Sequence, residues 1–148
     1  MKEKLFFDNN AIDFVQENQK MFFELKNHFD YYISPTALEE LANIKDDYKE
    51  RRIKNLICLI EMSPHFLYDS VFIFDYSRWN CACLGNGDVY KQILNPSKNN
   101  IRDAIIADTA VVNNCILLTN DKQLYNKMHN LGYACFNLAD ITDYYSKL

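Results

Sequence analysis

Apolar residues in the first third of the chain alternate between short runs and helical spacing. A short apolar segment, Lys4–Phe7, ends at Asp8, and the apolar positions that follow recur at helical intervals: Ala11, Phe14, Val15, Phe22 and Leu25. Tyr31–Ile33 is a second apolar run. Ser34 and Pro35 come next, and serine before proline is typical of a helix start. This part of the chain therefore predicts strand, helix, strand, helix.

The middle of the chain is less regular. The helix from Pro35 is expected to kink or break near Asp46 and to continue as a second helix that ends at Pro64. The predicted apolar stripe of this second helix consists of Ile53, Leu56, Ile57 and Ile60. Val71–Phe74 is compatible with a strand or with the approach to a helix. Residues 84–100 are expected to be irregular, with turn signals at Gly85–Asp88 and Asn95–Ser97.

In the last third of the chain, helix and strand patterns again alternate clearly. The predicted elements are a helix from Ile101 to about Asn114 capped by Asn99 or Asn100, a buried strand Cys115–Thr119, a helix Lys122–Asn130 stopped at Gly132, and a strand Tyr133–Leu138. This order implies an α/β fold with a mainly parallel sheet and helices on both faces. No linker or internal repeat divides residues 1–148, so a single domain is expected.

Composition narrows the function classes. The chain has 148 residues, of which 49% are hydrophobic, and a formal charge of −4. Nucleic acid binding must then be local, because the surface as a whole is acidic. The five cysteines contain no C-x-x-C pair and are interpreted as reduced thiols. Met1–Lys4 is followed by only three apolar residues before Asp8, too few for a secretory signal, and no run is long enough for a membrane span, so a cytoplasmic location without a membrane partner is expected.

Several acids are expected at one edge of the sheet. Asp8 and Asp121 each follow a predicted strand, Asp103 opens a helix, and Glu39 and Glu40 lie in the helix after the second strand. Each acid alone is typical of a turn or a cap. Together they would repel one another unless a cation compensates them. All-oxygen sites select hard cations such as Mg²⁺ or Mn²⁺, which support phosphodiester hydrolysis.

Four ordered motifs resemble those of the PIN domain nucleases: Phe6–Asn10, Ile33–Leu41, Asp103–Ala107 and Leu118–Asp121. The resemblance spans the chain from Leu5 to about Leu138. It implies a three-layer α/β/α fold, a Mg²⁺ or Mn²⁺ site and RNA as the usual substrate. Bacterial members of this size are often toxins of the VapC type, so the resemblance also implies a protein antitoxin and a homodimer as partners to look for.

The resemblance assigns roles to individual residues. The acidic quartet would be Asp8, Glu40, Asp103 and Asp121, with Asn10 and Thr119 as supporting polar residues. On this interpretation Asp8 and Asp103 hold the metal, Asp121 contributes directly or through water, and Glu40 orients or deprotonates the attacking water. Glu40 is preferred over Glu39 because the family's glutamate directly precedes an apolar residue, here Leu41.

Some positions depart from the family pattern. Asn9 stands where a small or hydroxyl residue is common, and Asp108 where a small residue is usual. Asp108 lies about 140° around the helix from Asp103. It is therefore expected to be a solvated acid, or an acid that contacts the metal ligands without binding the metal itself. Residues 75–87 match the family poorly and are interpreted either as an insertion that shapes substrate choice or as a loop over the core.

Basic and aromatic residues supply candidate RNA contacts. Lys45, Lys49 and Arg52 share one helical face, and Arg102 precedes Asp103, so either group could guide a phosphate backbone. The alternating charges around residue 49 are also typical of a solvated helix face. The Arg78–Trp79 pair is a candidate for base stacking, although a single tryptophan is more often half-buried packing.

Three function classes remain. The leading hypothesis is a metal-dependent endoribonuclease, a hydrolase of RNA phosphodiester bonds. The alternative is a catalytically weak PIN-like module that binds RNA or a protein. A phosphotransfer domain also gathers aspartates at strand ends, but no D-x-D-x-T motif follows the first strand here.

Overall fold

A computed structural model describes residues 1–95 and 99–148 of the chain. All strand pairs are parallel, and the five strands are ordered β3-β2-β1-β4-β5. The strands are β1 (Glu3–Phe7), β2 (Phe29–Ile33), β3 (His65–Phe66), β4 (Ile116–Leu118) and β5 (Cys135–Phe136). The predicted α/β class, with a parallel sheet between helical layers, is confirmed.

Eight α-helices of the described residues surround this sheet. They are α1 (Ile12–Glu17), α2 (Gln19–Leu25), α3 (Pro35–Ala42), α4 (Lys49–Met62), α5 (Asp88–Ile93), α6 (Ile101–Val112), α7 (Lys122–Asn130) and α8 (Leu138–Ser146). Across the two described ranges, no helix combines the length and the apolar character needed to cross a membrane.

The core is built around the central strand. Leu5, Phe6 and Phe7 of β1 are buried as three successive residues, so both faces of the strand are covered. Such a continuous apolar run is what a strand in a parallel sheet requires, because helices pack on each side of it. Leu5 pairs with Tyr31 of β2 on one side and with Ile116 of β4 on the other. Asp8 therefore leaves the sheet at its centre, between the ends of two neighbouring strands.

The predicted first helix is two helices in the structure. α1 and α2 are separated at Asn18, whose side-chain Nδ2 donates a 2.9 Å hydrogen bond to the carbonyl oxygen of Phe14. The last predicted strand is shorter than expected, because only Cys135–Phe136 pairs with β4. The chain then enters α8, which the sequence analysis missed although Asn137 and Asp140 form a capping box at its start.

The predicted apolar stripe of α4 is wrong at three of its four positions, and Leu56 is the member that packs against the core. Ile53, Ile57 and Ile60 are exposed, and the buried face consists of Asn55, Cys58, Leu59 and Met62. The side chain of Asn55 donates a 2.9 Å hydrogen bond to Asp13 of α1. Packing against α1 thus buries Asn55, whose amide group hydrogen-bonds with Asp13. The isoleucines on the neighbouring face of α4 stay exposed to solvent.

The secondary structure of residues 64–88 also differs from the one predicted. β3 begins directly after Pro64, and Val71–Phe74 forms neither a strand nor a helix. Gly85 approaches the backbone so closely that a Cβ atom there would lie 2.3 Å from the carbonyl oxygen of Ser70. The expected turn near residue 88 is the start of α5. The second predicted turn, Asn95–Ser97, falls largely on residues 96–98, outside the described residues.

Candidate acidic site at the carboxyl end of the sheet

Asp8 is the most buried of the predicted acids, with an exposed fraction of 0%. Its backbone N–H donates to Leu118 of β4 at 3.0 Å, which holds the end of β1 beside that strand. Its Oδ2 accepts a 2.6 Å hydrogen bond from Thr119. Its Oδ1 is buried and has no hydrogen-bond partner among the described residues. A buried carboxylate oxygen without a donor is costly, so the charged form of Asp8 is disfavoured unless a cation compensates it.

The supporting residues Asn10 and Thr119 join the ends of β1 and β4. The backbone N–H of Asn120 donates to Oδ1 of Asn10 at 2.8 Å. Thr119 Oγ1 lies 3.2 Å from the same oxygen and accepts a 3.1 Å hydrogen bond from the backbone N–H of Asp121. Both residues therefore hold the backbone that follows β4 next to Asp8.

Asp103 and Asp121 line a common cavity of about 390 Å³, which we call the Asp121 cavity. Asp103 lies in the first turn of α6, where the helix dipole favours a carboxylate. Asp121 caps α7, since its Oδ1 accepts hydrogen bonds from the backbone N–H groups of Gln123 and Leu124 at 2.7 and 3.0 Å. One oxygen of Asp121 is thus committed to the helix.

Glu40 and Asp103 line a second cavity of about 370 Å³, the Glu40 cavity. Arg102 lies at its edge, with its guanidinium 3.9 Å from the Glu40 carboxylate. The neighbouring Glu39 points elsewhere and pairs with Arg78 at 3.3 Å. Of the two consecutive glutamates, it is therefore Glu40 whose side chain reaches the cavity that contains Asp103.

The acids influence one another's protonation. Burial raises the pKa of Asp8 to about 7 despite the hydrogen bond from Thr119, and the charges of Asp103 and Asp121 raise it further. Burial, followed by the charges of Asp8 and Asp103, raises the pKa of Glu40 to about 7. Burial and the charge of Asp121 raise the pKa of Asp103 to about 6. The four predicted acids therefore share one electrostatic environment.

The acids do not form a closed metal cage. Within residues 1–95 and 99–148, no three His, Cys, Asp or Glu side chains are close enough to hold one ion together. Mg²⁺ seldom needs such a cage, because it takes one or two carboxylates, keeps water ligands and accepts phosphate oxygens. The all-oxygen donors and the unpaired Oδ1 of Asp8 fit a hard cation of that kind.

Asp108 has a different role from the one predicted. It is buried, not solvated, and its Oδ1 accepts a 2.9 Å hydrogen bond from the backbone N–H of Tyr90 while its Oδ2 accepts from the hydroxyl of Ser70. These partners lie in α5 and in the loop after β3. Asp108 therefore ties α6 to the segments that cover it.

Asp69 is a buried acid that the sequence analysis missed. Its Oδ2 accepts a 2.8 Å hydrogen bond from the hydroxyl of Thr36, in the first turn of the helix that carries Glu40. Burial raises the pKa of Asp69, and the hydrogen bond from Thr36 opposes that shift. The pattern that marks such an acid is its position after a strand, but the two-residue β3 is too short to be recognised from periodicity.

The candidate basic residues are placed in two groups. Arg52 is committed locally, since its guanidinium donates to the Ile44 carbonyl oxygen at 2.7 Å and to Asp46 at 2.9 Å. Arg102 and Arg78 instead pair with Glu40 and Glu39 of α3, and Arg102 also lines the Glu40 cavity. Of the predicted phosphate contacts, Arg102 is the one that the fold brings next to the acids.

Comparison with known proteins establishes the fold and no family. No protein-family model and no curated protein matches the chain. A solved structure described as "A domain of a functionally unknown protein from Methanocaldococcus jannaschii DSM 2661" is similar, with a TM-score of 0.55 and 19% sequence identity over 92% of this chain and 91% of that one. At this identity the likeness shows a shared α/β architecture.

Proposed function

We propose that this protein is a Mg²⁺- or Mn²⁺-dependent endoribonuclease whose acidic site consists of Asp8, Glu40, Asp103 and Asp121. The observation that carries the proposal is the buried, unpaired Oδ1 of Asp8 at the carboxyl end of the central strand. Ligand sites of open parallel sheets lie at that end of the strands. A carboxylate kept there without a donor is explained by a cation that binds it.

The chain's own residues have distinct parts in this proposal. Asp8 and Asp103 would hold the cation, and Asp121 would contribute through the oxygen that does not cap α7 or through water. When bound, the cation supplies neutralisation of phosphate charge and a lower pKa for the attacking water. Glu40, with a pKa raised to about 7, is suited to take a proton from that water near neutral pH. Arg102 beside it would contact a phosphate of the substrate.

The proposed biological setting rests on the resemblance to PIN domain nucleases. By that resemblance, RNA is the proposed substrate and a toxin–antitoxin pair is one proposed setting, while the proposed cytoplasmic location rests on the five cysteines without a C-x-x-C pair. The antitoxin and a second copy of the chain are then the protein partners to test. Co-expression with the product of a neighbouring small reading frame is the direct test of the antitoxin.

One observation favours the alternative of a catalytically weak RNA- or protein-binding module. Among the described residues, no three potential ligands are close enough to hold one ion. A protein of that kind would bind RNA without cutting it, and divalent cations would leave its thermal stability unchanged. The two functions therefore differ in both cleavage and metal response.

The test is cleavage of a panel of labelled RNAs and single-stranded DNAs with Mn²⁺, Mg²⁺ or EDTA. Wild type is compared with Asp8→Asn and Asp103→Asn, and the matched control is Asp47→Asn, which removes an exposed acid from another part of the surface. Metal-dependent cutting that survives in Asp47→Asn and is lost in both site variants supports the nuclease. Absence of cutting, together with no Mn²⁺-induced rise in Tm, supports the binding module.

A further inference from the structure

A cluster of exposed aromatic rings lies on residues 70–82, which we call the aromatic loop. Trp79 and Phe74 expose 80% and 78% of their surface. Both rings contact Phe72, with ring centroids 5.1 Å and 5.5 Å from it respectively. Large aromatic side chains are costly to leave in water, so a grouped set of this kind marks a binding surface.

The aromatic loop is held firmly at its base. Asp69, directly before it, donates its backbone N–H to the Cys81 carbonyl oxygen at 3.0 Å and accepts from the N–H of Cys83 at 2.7 Å. The N–H of Ser70 donates to the hydroxyl of Thr109 in α6 at 3.0 Å. The two ends of the loop are therefore close together and fixed to the helix that carries Asp103, which is the organisation of a compact Ω-loop.

The aromatic loop forms one wall of the Glu40 cavity. Tyr76 lines that cavity together with Glu40 and Asp103. Its hydroxyl donates a 3.4 Å hydrogen bond to the side chain of Asn99, on the opposite side of the cavity opening. The loop that carries the exposed rings therefore also supplies a side chain to the cavity that contains two of the four acids.

Two exposed arginines belong to the surroundings of the rings and of the acids: Arg78 precedes Trp79 in the chain, and Arg102 lines the Glu40 cavity. Arg78, next to Trp79, and Arg102 are 67% and 43% exposed in their side chains, and both pair with glutamates of α3. Exposed ion pairs of this kind add little to the stability of the fold. Little free energy is therefore lost when such an arginine leaves its glutamate and binds a phosphate. The surface therefore offers one guanidinium group next to Trp79 in the chain and another in the lining of the Glu40 cavity, both able to contact a phosphate backbone.

We propose that the aromatic loop is a base-stacking surface that binds an unpaired nucleobase of single-stranded RNA while the neighbouring backbone lies in the Glu40 cavity. This inference rests on the proposed function, since it identifies the strand state that the acidic site accepts. Aromatic faces beside arginines are the usual means of binding single-stranded nucleic acid. A protein partner would use the rings but would have no need of the adjoining acidic cavity.

Trp79 is the only tryptophan of the chain, so its fluorescence reports directly on the aromatic loop. The Asp8→Asn protein is titrated with an unstructured RNA octamer and, separately, with an abasic octamer of the same backbone charge. Anisotropy of labelled RNA then gives Kd for Trp79→Ala, Phe74→Ala and Trp79→Phe in the same background. Tyr48→Ala, which removes an exposed aromatic residue elsewhere, is the matched control.

The expected result is quenching by the RNA octamer and not by the abasic one. Kd is expected to rise at least about fivefold in Trp79→Ala and Phe74→Ala, with recovery in Trp79→Phe and no change in Tyr48→Ala. Equal affinity for both octamers without quenching would overturn the inference, and so would failure to bind either octamer, which would leave a protein as the occupant to seek. Wild-type cleavage in Mn²⁺ is measured in parallel and tests the proposed nuclease separately.

Discussion

Thr119 donates its hydroxyl proton to Oδ2 of Asp8 at 2.6 Å, joining two residues that are 111 positions apart in the chain. The bond links the ends of β1 and β4 and orients the most buried acid of the site. It satisfies one carboxylate oxygen and leaves the other without a donor among the described residues. The pair therefore holds a carboxylate in place without neutralising it, which is the arrangement that a cation site needs.

Replacing Asp8 should stabilise the protein at neutral pH in EDTA. Burial raises the pKa of Asp8 from 3.8 to about 7, so the unfolded chain ionises first as the pH rises. The raised pKa therefore favours folding most below about pH 4, and this contribution is lost as the pH rises through about 7. Asp8→Asn removes the charge and should add on the order of 1 to 3 kcal/mol at pH 8.

Urea denaturation at pH 5 and pH 8 measures this effect. The gain of Asp8→Asn over wild type should be larger at pH 8, while Asp47→Asn should show no such pH dependence. A wild-type protein that is more stable than Asp8→Asn at pH 8 in EDTA would contradict the cost assigned to the buried charge.

Removing the Thr119 hydroxyl should destabilise the fold. Thr119→Val removes the hydroxyl group that donates to Oδ2 of Asp8 and accepts from the backbone N–H of Asp121. The expected loss is about 1 to 3 kcal/mol in the free energy of unfolding. Thr119→Ser keeps the hydroxyl and is the control in the same urea titration; a full loss in Thr119→Ser with none in Thr119→Val would assign the contribution of Thr119 to its methyl group instead.

Divalent cations should stabilise the wild-type protein through Asp8. A ligand that binds only the folded state adds about 2.7 kcal/mol at one hundred times its Kd. The Tm should therefore rise with Mn²⁺ or Mg²⁺ in wild type and in Asp47→Asn, and much less in Asp8→Asn and Asp103→Asn. Differential scanning fluorimetry checks this, and an equal rise in all four proteins would place the ion elsewhere.

Asp108 should matter for folding and not for metal binding. Asp108→Ala leaves the backbone N–H of Tyr90 and the hydroxyl of Ser70 without their acceptor. The expected loss is about 2 to 3 kcal/mol in the free energy of unfolding. Provided that Asp108→Ala is folded at the start of the thermal scan, Mn²⁺ should raise its Tm by as much as it raises that of wild type. Loss of that rise in a folded variant would instead place Asp108 in the cation site.

The two faces of α4 should respond differently to substitution. Ile57 is 50% exposed, so Ile57→Gln should change the free energy of unfolding by no more than about 0.5 kcal/mol. Met62 is buried, and Met62→Ala should cost about 2 to 5 kcal/mol. Thermal denaturation of both variants checks the assignment; the opposite ranking would restore the stripe predicted from sequence.

Local pattern predicted most of the sheet. A continuous apolar run marks β1, and the Ser34–Pro35 start of α3 is present in the structure, where the Ser34 hydroxyl accepts from the N–H of Ala37. Such features depend on neighbours in the chain, so periodicity and capping reveal them. The two-residue β3 and the short α5 have too few residues to show a period, and they were missed for that reason.

The sequence alone determined that Asp8 and Asp121 follow strands and that Asp103 opens a helix, because these positions depend on local chain direction. Tertiary packing decided what each acid does there. It buried Asp8, committed one oxygen of Asp121 to α7, turned Asp108 toward Ser70, and chose the face of α4 that carries Asn55. Burial and hydrogen-bond partners come from residues distant in the chain, and spacing along one helix or strand carries no information about them.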